Sequence, residues 1–66
     1  PSQELENMIG VEKSFRLMRL YQATIESQPR GIDSWNAKSL DLRFRKRALE
    51  AGYPQEAIDL YLREIA

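Results

Sequence analysis

Leu40-Asp41-Leu42-Arg43-Phe44-Arg45 admits two readings, and the choice between them sets the fold class of this 66-residue chain. Apolar and polar residues alternate along it, as in a half-buried strand. The wider window repeats differently. Trp35, Leu42 and Leu49 recur every seven residues, and Leu40, Phe44 and Ala48 every four, which is helical spacing. A strand also needs a partner, and no other segment alternates. The stretch is therefore expected to be helical, starting from Asp33 or Ser34 as N-cap, and the fold all-α.

Two breaks organise the rest. Gln28-Pro29-Arg30-Gly31 and Ala51-Gly52-Tyr53-Pro54 each combine a helix stop with a turn residue. They predict one small domain over residues 1–66, with helices over roughly 2–28, 33–51 and 54–65. Ser2 suits the first N-cap, Gly52 a left-handed cap, and Pro54 the first position of the last helix. Gly10 is the weak point of the long first helix and is expected to bend it or split off a short N-terminal turn.

In that first segment Met8, Val11, Phe15, Met18, Gln22 and Ile25 follow one another at spacings of three and four, which predicts a core-facing stripe. Leu5 and Ile9 widen it, while Leu17, Leu20 and Tyr21 lie beyond it. An unbroken helix of this length would reach ~40 Å, against ~18 Å for the last one, at 1.5 Å per residue. The overhang predicts a protein interface through Leu17, Leu20, Tyr21 and Ile25, covered by a partner protein or by a second copy of the chain, the favoured reading. Tyr53, between Gly52 and Pro54, is a further candidate contact. Trp35 is expected to plug one end of the bundle.

Composition narrows the function. Apolar residues make up 42% and charged residues 30%, a globular balance, with neither Cys nor His. That removes thiolate chemistry, the commonest metal ligand and the usual general base near neutral pH. No catalytic, cofactor-binding or metal-ligating residues can be named, and no enzyme is expected. Charge is zero overall but zoned: net −3 over residues 1–12, +6 over 13–47 and −3 over 48–66. Lys13, Arg16 and Arg19 recur every three residues, and Arg43, Arg45, Lys46 and Arg47 crowd into five positions. Such clusters either bind phosphates or pair with acidic segments of the same or a neighbouring chain.

From Phe44 to Arg63 the chain resembles a helix-turn-helix unit: Ala48 precedes Gly52 by four residues and Ile58 follows it by six. The resemblance implies two short helices crossing at a tight turn. It departs where bases would be read, because Glu56 and Asp59 would face phosphate and Arg47 stands where that family commonly buries an apolar residue. Gly52, Ala57 and Tyr61 are also similar to the packing positions in the second half of a tetratricopeptide repeat, although no second repeat is visible.

The leading expectation is a non-catalytic helical module, self-associating, that serves protein–protein interaction as a regulatory or adaptor domain. Its rival is a small dimeric nucleic-acid-binding regulator using the central basic patch. Neither needs a small-molecule substrate or a membrane, and the default location is cytoplasmic.

Overall fold

A computed structural model describes residues 2–27 and 37–65 and contains four helices there: α1 (Gln3–Ile9), α2 (Val11–Glu26), α3 (Ala37–Glu50) and α4 (Gln55–Ile65). No strand occurs among the described residues. The alternation at Leu40–Arg45 is thus part of a helix. Its register buries Leu40, Phe44 and Ala48, the four-residue repeat, and leaves Leu42 and Leu49 outside. Trp35 and the residues proposed to cap this helix, Asp33 and Ser34, lie outside the described residues.

The first predicted helix is two. Ser2 caps α1, its Oγ accepting from the Leu5 N–H at 3.1 Å. Gly10 ends α1 and opens α2 with φ 91° and ψ 160°, a backbone conformation that is essentially restricted to glycine. Its N–H donates to the Glu6 carbonyl at 2.7 Å, and its own carbonyl accepts from the Ser14 N–H at 3.0 Å. One residue closes both helices and turns the chain between them. The long overhanging helix does not form, because α1 folds back onto α2 and α4. Gly10→Ala is expected to cost about 1–3 kcal/mol from backbone strain alone, since an added Cβ would meet nothing within 4 Å. Chemical denaturation of the two chains checks this.

The α3–α4 corner is equally local. Tyr53 N–H donates to the Ala48 carbonyl and Gly52 N–H to the Leu49 carbonyl, both at 3.0 Å, with Gly52 at φ 95°. This is the double hydrogen bond of a Schellman cap, and Tyr53 supplies the hydrophobic contact that accompanies it by packing on the core. Pro54 precedes α4, its carbonyl accepting from the Ala57 and Ile58 N–H groups.

Leu5 of α1, Leu17 of α2, Phe44 and Ala48 of α3, and Ala57, Ile58, Leu60 and Tyr61 of α4 form the core. Tyr21, Phe44 and Tyr61 meet as a three-ring cluster, with centroids 5.0, 5.6 and 5.7 Å apart and the Tyr21–Phe44 pair nearly perpendicular. Edge-to-face geometry of this kind adds to simple burial.

Most of the predicted stripe on the first segment faces outward, although Met18 of that stripe, and Leu5 and Ile9 beside it, pack inward as expected. Val11, Phe15 and Ile25 are 56%, 42% and 41% exposed, while Leu17 is fully buried and Leu20 and Tyr21 pack against the core. The face of α2 turned inward is Ser14, Leu17, Tyr21 and Thr24, also spaced three, four and three. Two hydroxyl residues disguise it. Ser14 Oγ donates to the Gly10 carbonyl and Thr24 Oγ1 to the Leu20 carbonyl, each at 2.8 Å. With their protons bonded to the helix backbone, both hydroxyls can be buried without loss.

Candidate interaction surfaces

Of the residues expected at a protein interface, Leu17 is core and therefore closed to a partner. Leu20 and Tyr21 are half-buried against their own chain, and Tyr53 serves the α3–α4 corner. Ile25 alone stays on the open face. The residues beside it were expected inside: Val11 and Phe15 share that face with polar Gln22, and Met18 lies at its border, half-buried against the core of its own chain. The signal that could have placed them is the second three-and-four series through Ser14 and Thr24, legible once hydroxyls are allowed into a helix interior.

The basic block on α3 divides. At about 100° per residue, Arg43, Lys46 and Arg47 fall on one face and Arg45 on nearly the opposite one. Arg45 is committed elsewhere. Its Nε donates to Asp41 Oδ1 at 2.7 Å and its Nη1 to Asp59 Oδ1 on α4 at 2.5 Å. The hydrogen bond to Asp59 is the largest influence raising the guanidinium's already high pKa. Arg45 therefore ties α3 to α4 and does not belong to a free cationic patch.

Asp59 answers in kind. The Arg45 hydrogen bond, then that from Gln55 Nε2 at 3.2 Å, holds its carboxyl below the ordinary 3.8. A carboxyl with a depressed folded-state pKa stabilises the fold above its unfolded pKa and loses that contribution as pH falls through the folded value. The melting temperature is expected to drop below about pH 4, with Asp59→Asn flattening that acid limb. A thermal melt series against pH reads this out.

Arg43, Lys46 and Arg47 border a depression of about 350 Å³ together with Thr24, Ser27 and Glu50. Arg47 Nη1 stands 3.4 Å from both Thr24 Oγ1 and Ser27 Oγ. Of the α2 cations, Arg16 pairs with Glu12 at 2.6 Å on the open surface, where such a pair contributes little to stability. Lys13 and Arg16 border a second depression, of about 380 Å³, beside the Ala51–Pro54 turn. Arg19 is exposed and makes no ion pair among the described residues.

No group of His, Cys, Asp or Glu that could hold a metal occurs among the described residues, and no described helix is long and apolar enough to cross a membrane. What the fold offers is surface: an apolar strip on one edge of α2 and cations along the other. Comparison with protein-family models, with curated proteins and with solved structures finds no match to this chain.

Proposed function

We propose that the chain is a non-catalytic helical interaction module that pairs with a second copy of itself through the outer edge of α2. The observation that carries this is the exposure of Val11, Phe15 and Ile25 on one heptad-spaced strip whose neighbouring face builds the core. Val11, Met18 and Ile25 recur every seven residues, and Phe15 and Gln22 interleave with them at the same period. That is the a/d seam of a coiled coil, in which apolar residues at alternating spacings of three and four interlock with an identical helix.

Charge beside the seam chooses the register. Glu12, Arg19 and Glu26 flank it on the side away from the core, each directly following a seam residue. Parallel pairing would set these positions against Ser14 and Tyr21, which are turned inward. Antiparallel pairing about a two-fold axis between Phe15 and Met18 sets Phe15 against the partner's Met18 and brings Glu12 near the partner's Arg19, twice. Pairing one heptad further along would oppose Glu12 to the partner's Glu26, a like-charge contact. Arg16 engages only Oε1 of Glu12, which leaves Oε2 for the partner.

Light-scattering mass against concentration tests the proposal. The expected result is a two-chain species that Phe15→Glu converts to a folded monomer and Arg19→Glu weakens. A wild-type chain that stays monomeric at high concentration refutes it. The loss on Arg19→Glu should shrink in high salt, since the pair it removes is solvent-exposed.

A further inference from the structure

We infer that the α2–α3 junction is a binding track for the phosphodiester backbone of a nucleic acid, built on Arg43, Lys46 and Arg47 and continued by Lys13 and Arg16. The inference does not depend on self-pairing; the two surfaces touch at Arg16, which pairs with Glu12 beside the seam, so the α3 cations carry the track.

Net neutrality conceals a polar molecule. Helices α2 and α3 carry eight cations against four anions, whereas α1 and α4 carry five anions against Arg63 alone. The basic side is further organised by helical phase. Lys13, Arg16, Leu20, Thr24 and Ser27 follow at spacings of three and four along the α2 edge that meets α3. The first two border one depression and the last two the other. From Lys13 to Ser27 the axis of α2 advances about 21 Å at 1.5 Å per residue.

The α3 end is the stronger half. Arg43, Lys46 and Arg47 converge from positions i, i+3 and i+4 on a single depression, opposed there only by Glu50. Arg43 and Lys46 make no ion pair among the described residues. Arg47 is aimed by acceptors that cannot neutralise it. Thr24 Oγ1 donates its own proton to the Leu20 carbonyl and Ser27 Oγ to the Thr24 carbonyl, so each offers Arg47 a lone pair and no charge. The guanidinium keeps its charge and its other N–H donors for a ligand, and an arginine fork suits the several acceptors of a phosphate. Three cations within about one helical turn suit the dense point charge of phosphate better than carboxylates spaced along a protein surface. Contacts to phosphate carry no sequence information, so binding through this track is expected to be independent of sequence.

Fluorescence anisotropy with a labelled duplex and a single strand of arbitrary sequence, across a salt series, tests the track. Wild-type binding should weaken steeply with salt. Replacing Arg43, Lys46 and Arg47 together by Gln should reduce affinity at least tenfold at low salt and flatten the slope of log K against log salt by about three. Lys38→Gln, also on α3 but off this face, should change the slope little. Should the triple variant lose its helical circular dichroism, Lys46→Gln alone still reads the site through a slope change of about one. Absent binding, an unaltered slope in the variant, or displacement of the oligonucleotide by polyglutamate of equal charge would each overturn the inference, the last in favour of an acidic protein surface.

Discussion

Phe44→Ala is expected to abolish cooperative folding. Phe44 is fully buried where α2, α3 and α4 meet, in edge contact with Tyr21 and tilted contact with Tyr61. Truncating a buried Phe costs about 3–5 kcal/mol, through lost burial and the cavity left behind. A single core in a chain this short rarely supplies more than about 3–5 kcal/mol in total. The two figures overlap, so the variant has little or no stability left. Thermal circular dichroism should show a broad, non-cooperative loss of helix, where the parent chain melts in one transition. The ring geometry also predicts a milder neighbour. Phe44→Leu keeps most of the volume and loses chiefly the aromatic contacts, worth about 0.5–1.5 kcal/mol per pair.

Leu17→Glu and Phe15→Glu, two residues apart on α2, are expected to behave as opposites. Leu17 is fully buried, and a carboxylate there is either ionised without a partner or protonated at a free-energy cost, on top of the lost apolar contact. The chain should be unfolded at neutral pH. Phe15 is 42% exposed, so its replacement should leave the chain folded and act on association, lowering the melting temperature only by what pairing adds at the concentration used. Near-ultraviolet circular dichroism separates the two outcomes, because unfolding removes the contribution of the packed Tyr21–Phe44–Tyr61 cluster and a folded variant keeps it. A folded Leu17→Glu chain would mean that α2 packs on its other edge, as the simplest apolar periodicity suggests.

That contrast marks where sequence reasoning succeeds and where it stops. The breaks at Gly10 and Gly52 were legible because they are local, whereas the predicted break at Gln28-Pro29-Arg30-Gly31 lies outside the described residues. Gly10 and Gly52 sit at positive φ, where a side chain is strained whatever surrounds it, and Ser2 caps the helix that follows it. The face of α2 was not legible by counting apolar residues, because α2 carries two interleaved series. One runs through Val11, Phe15, Met18 and Ile25, the other through Leu17 and Tyr21 with Ser14 and Thr24 between. The first is the more apolar, and yet it is the second that meets α3 and α4. Likewise the run from Arg43 to Arg47 looked like one patch in a line of letters. Wound at 3.6 residues per turn it is two surfaces, one tying α3 to α4 through Asp59 and one facing the end of α2.

The sequence by itself determined the helical class, the turn at Gly52 and the zoning of charge. Each of these depends on neighbours within about one turn: hydrogen bonds at spacings of three and four, a glycine's freedom at positive φ, the order of charged letters. Only the tertiary structure decided which edge of α2 is core and which cations remain unpaired. Both depend in part on what lies across from a side chain, as Asp59 of α4 lies across from Arg45, and the packing of four short helices outweighs the apolar count of any one.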